Sequence, residues 1–255
     1  MSYDVQKAGM WKRISAYLFD FILLCILTVG LATLLSWALK YDDYFNVINE
    51  CEAQYEAEYG VDFSLTQAER EALAEDAKVV FEDAYTKLTN DPAYLYASQM
   101  AFNLSFIIII FSVLIAHLIL EFAVPMIFKN GQTIGKKTFG VAVMRVDGVK
   151  VDGPLLFTRA ILGKYVVETM LPILFVLMIL FGIVYAPVGL IAIGAIVITN
   201  IVLVIAKKNN SAIHDILAST VVVDMASQLI FDSPEALLEY KQKIHAEAAD
   251  NAEYF

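Results

Sequence analysis

Residues 11–40 read WKRISAYLFDFILLCILTVGLATLLSWALK, and the fold turns on this stretch. From Phe21 to Leu39, 19 positions pass without a charge, close to the roughly 20 that a helix needs to cross a ~30 Å hydrocarbon core. The stretch therefore reads as a membrane span, entered through Lys12 and Arg13 and interrupted by one acid, Asp20. Asp20 follows Arg13 by seven positions, two turns along the same helix face. A charge that deep in a bilayer is costly, so it faces protein or water and marks a functional site. The plainer reading is that Arg13 and Asp20 only fix the helix's depth and packing.

The rest of the composition agrees with a polytopic membrane protein: 59% of the 255 residues are hydrophobic, and the mean hydropathy is +0.63, far above a soluble domain of this size. The net charge of -10 argues against nucleic acid as a partner, since phosphate recognition needs a concentrated basic surface. Two cysteines, Cys25 and Cys51, form no CxxC pair and support neither a disulfide framework nor a zinc site. The start lacks a signal peptide's short apolar region and cleavage site, so the first span is expected to be retained.

Between Tyr41 and Ser98 the character changes, with fourteen acids against three bases. One helix is expected from Asp43 to Tyr59, stopping at Gly60, and a second from the Thr66-Gln-Ala-Glu69 capping box to Leu88, with an apolar stripe of Leu73, Ala77, Val80, Ala84 and Leu88. The pair reads as a helical hairpin whose acids are a solvated face or an attractor of cations to a pore mouth. Met100 to Phe128 is the second span. It places His117 and Glu121 four apart, on one face, where they could share a hydrogen bond or a proton. The bland reading is a histidine satisfied within a packed bundle.

Residues 129–164 are basic, so by the positive-inside rule this loop and the N-terminus are cytoplasmic and the acidic insert lies outside. Within the loop, alternation from Val141 to Val151 around Asp147-Gly148 predicts a β-hairpin. Gly131-Gln-Thr-Ile-Gly-Lys136 invites comparison with a phosphate-binding loop and fails it: three residues, not four, separate the glycines, and Lys137 stands where Ser or Thr belongs. Pro154 is expected to open a short surface helix carrying Arg159 and Lys164. Thr169 to Ala206 is too long for one span and divides near Tyr185-Ala-Pro187, with Glu168 at the cytoplasmic mouth of the third span. Lys207 and Lys208 return the chain to the basic side, His214 and Asp215 follow the last span, and Ser233-Pro-Glu caps a final soluble helix from Pro234 to Ala249.

The sequence thus predicts an all-α membrane protein with four transmembrane helices, an extracytoplasmic acidic helical hairpin and a short cytoplasmic β-hairpin. Its segments are residues 1–40 for the N-terminus and first span, 41–99 for the insert and 100–128 for the second span. Residues 129–164 form the basic loop, 165–206 the third and fourth spans, and 207–255 the C-terminal segment.

Three blocks of residues carry a resemblance. Ala8-Gly-Met-Trp-Lys-Arg13 with Ala16-Tyr-Leu-Phe-Asp20, Gly131-x-Thr133-x-Gly135-Lys136, and His214-Asp215 with Thr220-Val-Val are similar, in order, to the RDD family of small bacterial membrane proteins, named for one arginine and two aspartates. The resemblance implies a multi-pass protein of the cell (inner) membrane, and monovalent cation/proton antiport has been proposed for some members. The insert at 41–98 is longer than the usual first loop.

From the residues themselves, Asp20 and Glu121 sit at similar depth in the cytoplasmic half, and a carboxylate pair at one depth suits a small cation or a proton. The leading expectation is exchange of Na+, Li+ or K+ for protons. Asp20 and Glu121 bind the ion, His117 relays protons, and Arg13, Asp215, His214 and Glu168 form a gate or brace. The alternative is a structural or accessory protein in which an Arg/Asp network locks the bundle and the acidic hairpin binds a partner. Four spans are few for a transporter, which favours a homo-oligomer or that alternative. With no recognisable nucleophile and base and no metal triad, neither an enzyme nor a cofactor or metal site is expected.

Overall fold

The computed structural model describes residues 5–207 and 209–253, the last six by backbone alone. Lys208 and the first four residues of the polar lead lie outside the described residues. The chain forms two compact units, Val29–Ser112 and a larger one from residues 5–28 and 113–253. Among the described residues it is mostly helical, with four helices long and apolar enough to cross a membrane: α1 Met10–Ala38, then α5 Pro92–Phe128, α7 Gly153–Leu180 and α8 Ala186–Ala206. Between the first two lie α2 Tyr41–Tyr59, α3 Gln67–Glu71 and α4 Glu75–Asn90. The remaining elements are α6 Ile134–Thr138, β1 Val141–Arg145, α9 Ile213–Leu217, β2 Thr220–Asp224 and α10 Pro234–Glu253.

In the smaller unit α2 stops at Gly60, which turns left-handed at φ 66° and returns its N–H to the Glu56 carbonyl. The Thr66–Glu69 capping box forms, but the expected single helix behind it is two. Ala74 is extended, and the chain restarts at Glu75 with two acids in the first turn, where the helix dipole favours them. The restart seats Phe81 edge-on against Phe63, with Arg70 over its ring. The buried stripe is accordingly Phe81, Ala84 and Leu88, and Val80 is exposed. That face of α4 packs on α2.

The larger unit departs from expectation in two places. Alternation around Asp147-Gly148 does make a tight turn, with Gly148 N–H donating to Arg145 and Arg145 N–H to Val149. The main partner of β1, however, is β2 from near the end of the chain, antiparallel, with Val143 opposite Val222. Val141, Val143, Val221 and Val223 are wholly buried, each contributing about 1.5–3 kcal/mol by leaving water. That gain, which a solvent-facing hairpin would lack, selects the distant strand. The lead also joins the sheet: Lys7 pairs with Val223 and Lys12 meets Asp224 at 2.6 Å.

The second departure is at Pro154. Asp152 caps the helix there, accepting from Leu155 N–H at 3.0 Å. The helix then runs without a stop into the third span, so it is no separate surface piece. Thr158–Met170 adopts wider i→i+5 bonding, as does Leu118–Ala123 in α5. Such π-helical segments gather at functional sites, and here they turn Arg159 and Lys164 inward. The break between the third and fourth spans falls at 181–185 with Pro187 in the first turn of α8, as read from the sequence.

Candidate functional site

The polar residues of the larger unit collect around α6 and α9, the two short helices that precede the strands. Asp20 reaches from α1 to α6. One carboxylate oxygen accepts from Gly135 N–H at 2.7 Å and the other from the Thr133 hydroxyl. Thr133 is the N-cap of α6, so Asp20 supplies the anion that a helix start attracts. The approach needs glycine: a Cβ on Gly135 would overlap the Ala16 carbonyl and the Asp20 carboxylate. This is what the failed phosphate loop does. It receives a carboxylate from the same chain.

Lys136 completes this seat. Its ammonium donates to the Thr133 hydroxyl at 3.1 Å and lies 3.8 Å from Asp20, with the side chain only 9% exposed. Burial lowers its pKa to about 8, with Lys164 and Arg159 adding to the effect and Glu121 and Asp20 opposing it. Glu121 is held by Lys164 at 2.5 Å, and its Oε2 has no hydrogen-bond partner among the described residues.

Each of the two carboxylates is paired with a lysine, Asp20 with Lys136 and Glu121 with Lys164. His117 does not bond Glu121. Its Nδ1 meets the Val113 carbonyl at 2.9 Å, its Nε2 lies 3.4 Å from the Thr169 hydroxyl, and its ring rests edge-on against Tyr165. A charge-assisted bond to Lys164 outcompetes a neutral imidazole for the carboxylate.

Asp215, on α9, is fully buried. Its Oδ1 accepts from Arg159 Nε and Nη2 at 3.0 and 2.9 Å, and its Oδ2 accepts from Ala212 N–H at 3.2 Å. Arg13 approaches Oδ2 at 3.7 Å, so the expected Arg13–Asp215 pair is present, with Arg159 as the stronger partner. Burial alone would raise this carboxyl, but His214, Arg159 and Arg13 hold it well below the usual carboxylate range. Glu168 accepts from the His214 backbone N–H at 3.3 Å and from its Nδ1 at 2.8 Å. Arg13 and Asp20, two turns apart, therefore serve different short helices.

The spacing drew attention to every acid in this cluster and to Arg13, but missed Lys136, Arg159 and Lys164. The Gly-x-Thr-x-Gly-Lys block was the one available signal for Lys136 and for the Thr133 and Gly135 donors. Among the described residues no group of His, Cys, Asp and Glu is placed to hold a metal ion, and Cys25 and Cys51 are free thiols.

No curated protein and no solved structure matches the chain. The sequence model of the RDD family matches residues 7–219, a range that takes in Arg13, Asp20, the Thr133–Lys136 turn and Asp215. With most of its length covered and both named aspartates seated by opposing short helices, the chain belongs to the RDD family of membrane proteins.

Proposed function

We propose that this protein exchanges a monovalent cation for protons across the cell membrane, with Asp20 and Lys136 as the exchanging pair. The observation that carries the reading is the buried lysine beside the Asp20–Thr133 seat. Lys136 is a cation of the protein's own, and its proton comes off at about pH 8. A sodium, lithium or potassium ion arriving at the Asp20 carboxylate and Thr133 hydroxyl competes with the ammonium. Lys136 then gives up its proton, because a buried charge without its counter-ion is costly. One cation enters as one proton leaves. Glu121 and Lys164, adjoining the seat, repeat the carboxylate–ammonium pairing. The lipid bilayer, protons and these cations are the partners, and four spans favour either a homo-oligomer or the structural alternative.

The distribution of charge supports placing both termini and the basic 129–152 loop in the cytoplasm, with the acidic insert 41–99 on the far side. The second reading is a brace, and one observation favours it: Asp215 is already satisfied by two arginines, neither of which releases a proton. Purified protein in liposomes with an internal pH dye separates the two. Exchange predicts a cation-driven pH change that is lost in Asp20→Asn and Lys136→Met at matched folded yield. A brace predicts no flux from the wild type and lower stability in the variants.

A further inference from the structure

The two short helices and their strands are copies of one unit. From α6 to α9 and from β1 to β2 the offset is 79 residues, 134 to 213 and 141 to 220. The sequences NGQTI at 130–134 and NNSAI at 209–213 stand at that offset. The backbone repeats more closely than the residues. The N-caps Thr133 and Ala212 have φ, ψ of −75°, 174° and −77°, 176°; the C-caps Phe139 and Ala218 have −95°, 11° and −93°, 4°. Left-handed residues recur in step, Gly131 with Asn210 and Gly140 with Ser219. The register, Val141 to Asp224 and Arg145 to Thr220, maps onto itself about the Val143–Val222 pair. That is a local two-fold.

The span helices obey the same relation. Gly135 and His214 are the second residues of α6 and α9, and their N–H groups receive Asp20 and Glu168 respectively. Each is pressed on a span: Gly135 against Ala16, and His214 against Gly163, where an added Cβ would overlap it. Arg13 precedes Asp20 by seven residues of α-helix, and Arg159 precedes Glu168 by nine residues of the wider helix. Both intervals make about two turns, because i→i+5 bonding takes more residues per turn. The wide segment of α7 thus keeps the copy in phase, and both arginines meet at Asp215. Glu121 and Asn200 are likewise 79 apart, on the second span of each copy.

Where the copies differ is the base. The first seat carries Lys136; the second carries an imidazole at the position of Gly135. We propose that Glu168 and His214 form a second, proton-binding site, in which Nδ1–H donates to Glu168 and the proton is taken on Nε2, 3.6 Å from Asp215 Oδ1. The charged groups facing His214 are Glu168 and Arg159 from α7 and Asp215 on its own helix, with Arg13 of α1 behind Asp215. Burial pushes the imidazole below its usual value, with Arg159 adding and Asp215 and Glu168 opposing, so the site loads on acidification. It stands independently of cation exchange, since protonation is read directly.

The test is nitrogen NMR of histidine-labelled protein in lipid nanodiscs, titrated from pH 8 to pH 4. His214→Gln removes and so assigns one signal; if that variant does not fold, the signal that moves in Glu168→Gln identifies it. The expected result is a signal neutral with Nδ1–H at pH 8, converting to imidazolium on acidification. Glu168→Gln weakens its proton affinity about tenfold, as loss of one adjacent opposite charge does. An imidazole neutral throughout the folded range overturns the proposal, and so does a midpoint unmoved by Glu168→Gln. Liposomes without flux leave it intact and count only against exchange.

Discussion

Asp20 and Asp215, the two aspartates at the starts of facing short helices, are both buried and both paired, yet their partners differ in kind. Asp215 holds two guanidinium groups that stay charged at any pH the protein meets. Asp20 holds an ammonium that burial has brought to about pH 8. One pairing is permanent and the other can be discharged. In a fold that repeats its receiving unit, the same place in the two copies thus holds a fixed charge pair in one and a dischargeable one in the other.

The largest effect should come from breaking the permanent pairing. Asp215→Asn leaves Arg159 and Arg13 buried without a counter-charge, about 3–5 kcal/mol of stability. Thermal unfolding in detergent should show it as loss of the folded, monodisperse species. Asp20→Asn should cost clearly less, about 1–3 kcal/mol, because Lys136 can shed its proton, the amide oxygen still accepts from Gly135 N–H, and the amide NH2 can donate to the Thr133 hydroxyl. Equal losses would erase the distinction between the seats.

Packing offers a second comparison. Gly163→Ala and Gly135→Ala each insert a methyl group where no room exists, against His214 in one case and the Ala16 carbonyl and Asp20 in the other. Each should destabilise by about 1–3 kcal/mol, because the two are counterpart contacts of a short helix with a span. A well-tolerated Gly163→Ala would break that symmetry.

A smaller effect sharpens the role of Lys136. Its folded pKa, about 8, lies below the ordinary lysine value of 10.5, so between these pH values the unfolded chain binds more protons than the folded one. Stability should therefore rise with pH across this window. The rise should amount to a few kcal/mol at most and vanish in Lys136→Met. Denaturant titrations at pH 7.5 and 10 measure it.

Much of this fold is legible in the sequence because its signals are local. The charge-free run after Asp20, the stop at Gly60 and the break before Pro187 are each written within a few residues. The β1–β2 pairing is not, since alternation around Asp147-Gly148 specifies a turn and leaves the strand's other edge open to any partner. Sequence alone makes Arg159 and Lys164 surface charges, because their counter-ions lie 56 and 43 residues away and nothing local announces them. The i→i+5 winding that turns them inward breaks the ordinary helical period, so a periodic reading assigns them the wrong face. The acids of the site stood out because carboxylates in apolar runs are costly anywhere. Their partners emerged only with the fold.

The central claim, that a cation at Asp20 displaces the proton of Lys136, is tested most directly by proton release. Purified protein in weakly buffered detergent near pH 7.5 receives lithium, sodium or potassium chloride, and a pH dye counts the protons freed. Displacement at Asp20 predicts about one proton per chain from the wild type and none from Asp20→Asn or Lys136→Met. Folded wild-type protein that releases no proton to any of the three ions would contradict it and leave the brace as the function of the network.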